Sequence, residues 1–294
     1  MEINAKMRKF LGILKYPLTV IILLIVLSRI DFLRISEIIS DLRIFTVTLL
    51  LIISFTKIFL QFINWNLFLK LIQEARIKRL EKIISFFVGI IFRMISPGGV
   101  GVYGRMFFLS ARKKDTFLSI TYEKLIQAWC IIFFASLASA LYFDNLAPFW
   151  KILLPVITLI FPFLLLIFSR SKEKYYVYFQ KYRQTLVPAL LIQITINSLT
   201  IIQYYVFFQN YLDFSFSTAL KSVPLVQFAN LIPITISGLG IREYFAMSIY
   251  PALGVNQELA IACSLIVFSF SNILPAFIGI LFLQFKNRIF TRNK

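Results

Sequence analysis

The sequence contains no histidine, only two cysteines among 294 residues, and 13 acidic side chains against 31 basic ones. Without histidine it lacks the commonest general base near neutral pH and the commonest metal ligand. Cys130 and Cys263 both stand inside apolar stretches with no CxxC spacing, so they read as small packing residues. No metal and no cofactor is expected. A GxxxxGK[ST] phosphate loop is also missing, which excludes a built-in nucleotide motor of that type. No separate soluble domain interrupts the chain, its linkers are short, and residues 1–294 read as one domain.

Apolar residues are what the chain has in abundance: 59% are hydrophobic, 17% are aromatic, and the mean hydropathy is +0.83. A soluble protein of this size could not cover that much apolar surface, and long apolar stretches are the signature of membrane-spanning helices. The formal net charge of +18 would suggest a nucleic-acid partner in a soluble protein. Here the basic residues form short clusters between apolar stretches, the pattern of orientation signals and of contacts with anionic lipid headgroups. Membrane lipids, anionic ones above all, are therefore the expected partners, and nucleic acid is not.

Crossing a bilayer takes roughly 20 apolar residues. Six stretches are candidates: Tyr16–Ile30 (which is short unless it extends toward Gly12), Ile44–Leu69, Thr116–Phe143, Phe149–Ser169, Thr185–Leu212 and Leu259–Phe285. The first follows Lys6, Arg8, Lys9 and Lys15, but no small-x-small cleavage site follows it, so it reads as an uncleaved span. Two more stretches do not fit as simple spans. Ile83–Ser96 runs into Pro97-Gly98-Gly99-Val100-Gly101 and then Tyr103–Ser110, while Ala219–Ser237 runs into Gly238-Leu239-Gly240 and then Ile241–Tyr250. Each is expected to dip into the membrane and return to the same side.

With the N-terminus inside, that arrangement places 21 Lys and Arg residues in the cytoplasm and five outside (Arg29, Arg34, Arg43, Lys151, Lys221). Such a bias is the positive-inside rule at work. A full crossing by the first glycine stretch would move Arg112, Lys113 and Lys114 outside. The predicted fold is an all-α polytopic membrane protein with about six spans, two re-entrant glycine-turn pairs and both termini in the cytoplasm, at the cytoplasmic membrane.

The two turns resemble each other: Gly99-Val100-Gly101-Val102 against Gly238-Leu239-Gly240-Ile241, each near a proline (Pro97, Pro233) and each followed by arginine and tyrosine (Arg105, Tyr103; Arg242, Tyr244). Three spans separate them, so the copies face opposite sides, as in an inverted repeat with broken helices. Glycines permit positive φ and can aim backbone N–H groups into one concavity, and the helix N-terminus after Gly101 or Gly240 adds a positive dipole end. Both features favour an anion.

Five basic residues remain within apolar segments, Lys57, Arg93, Arg105, Lys124 and Arg242, against two acids, Glu123 and Glu243. Each buried charge costs on the order of 3 kcal/mol on insertion scales. Snorkelling and internal pairing account for some of them: Arg105 lies near the cytoplasmic side, and Glu123 is placed to meet a neighbouring arginine. An excess of three positive charges still suits an anionic group such as a lipid phosphate. Ser54, Lys57, Gln61 and Asn64 form one helical stripe, and Gln193, Asn197, Thr200 and Gln203 another. Two readings stay open for them, interhelical hydrogen bonding and a hydrophilic pathway.

The run Ile232 to Glu243, followed by Leu253-Gly254-Val255 and a last long helix, resembles the lysylphosphatidylglycerol synthetase transmembrane-region family, whose members are called flippase-like. Ser96 to Gly101 with Arg105 is similar to that family's first glycine motif, and Glu123-Lys124 to its acidic-basic pair. The resemblance implies translocation of a polar-headed lipid between leaflets. Two-domain members add a soluble aminoacyl-transfer domain, and this chain ends at Lys294, so transport without synthesis is expected, with synthesis left to a partner enzyme. Where many relatives carry an acidic residue after the first motif, this sequence has Val102-Tyr103.

The expected headgroup site is thus Gly99, Gly101, Arg105, Gly238, Gly240, Arg242 and Glu243, supported by Lys57, Arg93, Glu123 and Lys124. Two other functions compete with lipid movement. One is an intramembrane lipid-modifying enzyme using Glu123 and Glu243; the other is a non-transporting partner in envelope assembly.

Overall fold

The computed structural model describes residues 32–72, 77–96, 99–168, 173–233, 235 and 237–281. The expected first span, Tyr16–Ile30, lies outside them, as do Pro97 and Gly98 of the first glycine motif. The described residues are all-helical, with no strand. In chain order the helices are α1 (Phe32–Ser40), α2 (Ile44–Leu69), α3 (Arg79–Ile95), a 3-10 segment (Val100–Phe108), α4 (Lys113–Tyr142) and α5 (Pro148–Phe168). Then follow α6 (Glu173–Phe208), α7 (Phe216–Phe228) and α8 (Ile241–Ile249), and α9 runs from Gln257 to Leu281.

Among the described residues, four helical stretches are long and apolar enough to cross a membrane: α2, α4, Arg183–Phe208 of α6, and α9. The sequence expectation for α2 coincides with the helix, and that for α4 is displaced by three residues at the start. Helix α5 is apolar too, and exposes Phe149, Ile152 and Phe161. Large apolar side chains also face outward on α2 (Phe55, Phe59), α4 (Leu125, Leu141) and α9 (Phe277, Leu281). A belt of that kind is stable against lipid tails and unstable against water.

Two apolar cores form, one toward each end of the helix bundle. The first joins Leu50 of α2, Tyr204 to Phe208 of α6, and residues of α7, α8 and the first half of α9. The second joins Trp65 and Phe68 of α2 with α3, the 3-10 segment, Ile120 to Cys130 of α4, Leu186 to Leu190 of α6, and Ala276 of α9. Helices α2, α6 and α9 run through both. The hairpin of α3 and the 3-10 segment therefore belongs to one end of the bundle, and the hairpin of α7 and α8 belongs to the other.

Local chemistry sets these boundaries. Ser215 caps α7 by accepting from the Thr218 N–H at 3.1 Å, and Asn256 caps α9 by accepting from the Leu259 N–H at 2.8 Å. Where one arm was expected over Ala219–Ser237, helix α7 stops at Phe228 and a short 3-10 turn ends at Leu231. No described residue from Ile232 to Gly240 is helical, and φ is positive at Ser237 (54°), Gly238 (77°) and Gly240 (86°). That backbone cannot continue a right-handed helix.

Candidate functional site

Between the two cores lies a cavity of about 370 Å³, within the size range of small-molecule sites. Its wall takes Lys57 and Gln61 from α2, Arg93 from α3, and Lys124 and Gln127 from α4. Helix α6 adds Gln193, Asn197 and Thr200, and α9 adds Ser271 and Asn272. The irregular chain of the second hairpin closes it with Asn230, Thr235, Ser237 and Gly238. Lys57 lies about 18–20 Å from either end of α2 at 1.5 Å per residue, so the cavity sits near mid-depth of that helix. No carboxylate lines it among the described residues.

The seven charges within the apolar segments separate into two groups. Arg105 and Glu123 form one ion pair, Nη1 to Oε2 at 2.8 Å, with the guanidinium 4.3 Å from the centre of the Trp65 ring. Arg242 and Glu243 form another, Nη2 to Oε1 at 2.5 Å, with the guanidinium 4.6 Å from the Phe268 ring. Ser264 joins the second pair, accepting from Arg242 Nε at 2.7 Å and donating to Glu243 Oε1 at 3.0 Å. All four charged residues are at most 4% exposed, so each carboxylate neutralises its arginine where water cannot.

Lys57, Arg93 and Lys124 remain, and no ion pair joins them to a carboxylate among the described residues. Neutral oxygens hold them instead. Lys57 donates to Gln203 Oε1 at 2.6 Å and to Ser271 Oγ at 3.3 Å, Arg93 to Asn272 Oδ1 at 2.6 Å, and Lys124 to Gln127 Oε1 at 2.7 Å. Ser271 and Asn272 belong to a one-turn π segment, Ser269–Ile273, inside α9. An extra residue in a helical turn re-aims the side chains there, and such turns recur at functional sites.

The two hairpins meet at this cavity. Gly99 lines it from the first and Gly238 from the second, and Ser237 Oγ donates to the Arg93 carbonyl oxygen at 3.2 Å. Of the residues expected to face a headgroup, Gly99, Gly238 and Arg242 line the cavity, as do Lys57, Arg93 and Lys124 from the supporting set. Arg105 and Glu123 stand beside it, around a small recess that shares Gln61, Arg93, Lys124 and Gln127 with the main wall. Arg105 does not snorkel; it is 4% exposed.

Gly99, Gly238 and Gly240 hold the positive φ expected of the motif glycines (67°, 77° and 86°), and Gly101 serves a different purpose. Gly101 has no positive φ, and its backbone is packed so closely that a Cβ would lie 2.0 Å from the Phe92 carbonyl oxygen. Gly240 does have one, but its N–H donates to Glu243 Oε2 at 2.7 Å. That helix terminus is therefore capped by its own glutamate and is not an open anion site. The polar stripes divide between a helix contact and the cavity wall. Gln203 binds Ser54 and Lys57 across the α2–α6 contact, while Gln193, Asn197 and Thr200 line the cavity.

A model of the lysylphosphatidylglycerol synthase TM region matches residues 11–279. The chain belongs to that family. It is a multi-pass membrane protein of a family concerned with lipids, as the apolar helices and the family together indicate. No curated protein and no solved structure matches the chain.

In this member of the family, the sequence reading overlooked Gln127, Asn230, Thr235, Ser271 and Asn272 in the cavity wall. A signal was present for the last two. Ser271-Asn272 is a polar pair inside an apolar span, the same cue that picked out Lys57 and Gln61.

Proposed function

We propose that this protein moves a lipid with an anionic or polar headgroup, a lipid-carrier phosphate included, between the leaflets of the cytoplasmic membrane, carrying the headgroup through the central cavity. One observation carries the reading. Three cationic side chains without a carboxylate face a cavity at mid-depth of helices long enough to span the bilayer. Uncompensated charge at that depth costs several kcal/mol per ion by order of magnitude, and an arriving phosphate supplies the counter-charge.

The hairpins support a re-entrant, inverted-repeat layout. Each starts at its own end of the bundle, carries a buried arginine that pairs with a glutamate and stacks on an aromatic ring, and reaches the cavity with its glycine turn. The four long spans, apolar α5 and the expected span Tyr16–Ile30, which lies outside the described residues, would make six crossings and leave both termini in the cytoplasm. Labelling a lone cysteine at Lys113 tests that topology: modification from the cytoplasmic side is expected, and modification from outside alone would overturn it.

An enzyme would need a proton-transferring group facing the headgroup. Glu123 and Glu243 are each committed to an arginine, which favours transport over chemistry. The lipid itself is expected to come from a separate enzyme.

The test is transfer in proteoliposomes carrying acyl-labelled phosphatidylglycerol, phosphatidic acid or phosphatidylethanolamine, with a membrane-impermeant quencher outside. Faster transfer of at least one anionic lipid is expected, with loss in a Lys57→Gln/Arg93→Gln/Lys124→Gln variant of normal melting behaviour. No acceleration of any anionic lipid over protein-free vesicles would sink the reading.

A further inference from the structure

The cavity's charge balance says more than that its ligand is polar. Lys57, Arg93 and Lys124 all face it, their hydrogen bonds go to neutral oxygens, and no carboxylate lines it among the described residues. The wall's buried atoms without a hydrogen-bond partner include Gln193 Oε1 and Thr235 Oγ1. A buried polar atom left unsatisfied is costly, and both belong to residues at most 6% exposed. Together they describe a wall that fits an anion with several acceptor oxygens and a neighbouring hydroxyl.

Lipid headgroups differ in how well they meet that demand. A phosphodiester such as phosphatidylglycerol brings a single negative charge. A terminal phosphomonoester brings close to two at neutral pH and three strong acceptor oxygens, and a diphosphate brings more. An aminoacylated phosphatidylglycerol carries the opposite balance: two ammonium groups on the lysyl ester against one phosphodiester, hence a net positive headgroup. Placed among three cations with no carboxylate to receive its ammonium groups, it is repelled.

We propose that this cavity selects a lipid whose headgroup ends in a phosphomonoester or diphosphate, and rejects the aminoacylated lipid after which the family is named. The inference rests on the transport reading and sharpens it to a substrate class. Each lysine brings three donors and the arginine five, so enough remain to meet a terminal phosphate after the bonds to Gln203, Ser271, Asn272 and Gln127. Gln193 Oε1 accepts and the Thr235 hydroxyl donates, which suits a sugar or glycerol hydroxyl next to the phosphate.

The experiment is native mass spectrometry of the full chain in detergent, titrated with phosphatidic acid, phosphatidylglycerol and lysyl-phosphatidylglycerol of matched acyl chains, and with inorganic diphosphate alone. Phosphatidic acid is expected to bind about tenfold tighter than phosphatidylglycerol, equivalent to about 1.4 kcal/mol, with the lysyl lipid weakest. A Gln61→Glu variant, which adds a carboxylate to the wall one turn from Lys57, is expected to narrow that preference. Equal binding of phosphatidic acid and phosphatidylglycerol, or tightest binding of the lysyl lipid, overturns the substrate class and leaves lipid transport standing. Diphosphate binding as tightly as phosphatidic acid assigns the site to a soluble anion and overturns the lipid source. Retention of no anionic lipid at all removes the transport reading itself.

Discussion

The two glycine hairpins share a sequence motif and differ in what the glycines do. In the first, α3 and the 3-10 segment close directly on each other: Gly101 touches the Phe92 backbone and Gly104 leaves room for the Phe92 ring, 2.3 Å from where a Cβ would stand. In the second, α7 and α8 are separated by an irregular run whose glycines hold positive φ, and that run forms part of the cavity wall. Both hairpins use positive-φ glycines at the turn, Gly99 (67°) in the first and Gly238 (77°) and Gly240 (86°) in the second, and the first adds Gly101 and Gly104 for close approach. The buried pairs differ in the same sense. Arg105 reaches Glu123 on another helix, 18 residues away, and so ties the first hairpin to α4. Arg242 pairs with its chain neighbour, and Ser264 links that pair to α9. The first hairpin is built as a wedge against the spans; the second presents a loop to the cavity.

The largest effect expected from this contrast is at Gly101. A Gly101→Ala methyl would meet a carbonyl oxygen that cannot move without breaking helix α3, so the cost lies at or above the top of the roughly 1–3 kcal/mol typical of overpacking. Gly238→Ala meets only the end of the Asn230 side chain, at 2.9 Å, and costs about 1–2 kcal/mol for its left-handed backbone. Heating the detergent-solubilised variants and following the folded fraction by size-exclusion ranks them. Gly101→Ala is expected to yield little folded protein, and Gly238→Ala to fold with a lowered Tm. The reverse order would break the distinction between packing and shape.

Next in size are the arginines. Arg105→Gln leaves Glu123 buried with only a long 3.3 Å contact from Gln127, and the loss of a buried partner costs about 3–5 kcal/mol. Arg242→Gln leaves Glu243 with the Gly240 N–H and the Ser264 hydroxyl, so its cost should be smaller. A Glu123→Gln change added to Arg105→Gln should recover part of the loss, because no uncompensated charge then remains. Melting temperatures of the two single variants and this double variant check the order; equal losses for both arginines would show that the capping bonds of Glu243 contribute nothing.

Helix α2 and most of α4 were legible because length and hydropathy decide them, and tertiary packing hardly alters either. The excess of three positive charges was legible too, by counting alone. Which three was not, since a pair such as Arg105–Glu123 depends on how the 3-10 segment leans on α4. The sequence points to Arg105 and Arg242 at the headgroup with Arg93 and Lys124 in support; Arg242, Arg93 and Lys124 line the cavity, and Arg105 stands beside it. The π segment left no trace in composition, because it differs from an α-helix only by one residue in a turn. A related test follows: Asn272→Ala removes the neutral acceptor of Arg93 and should cost about 1–3 kcal/mol. The same variant should weaken anionic-lipid retention in native mass spectra, while unchanged retention would remove the π segment from the account of the site.

The smallest expected effect sharpens the comparison most, because it lies where the hairpins touch. Ser237 donates to the Arg93 carbonyl, and it does so with φ at 54°, a conformation that glycine adopts without cost. Two energies of similar size oppose each other at that residue. The hydrogen bond is worth about 1 kcal/mol, and the left-handed backbone of a non-glycine residue costs about as much. Ser237→Ala loses the bond and keeps the strain, so a loss near 1 kcal/mol is expected; Ser237→Gly loses both and should melt close to wild type. If the contact also sets the loop against the first hairpin, both variants should change lipid transfer by a similar factor despite their different stabilities. Transfer that follows stability alone would mean that the second hairpin holds its loop without help from the first.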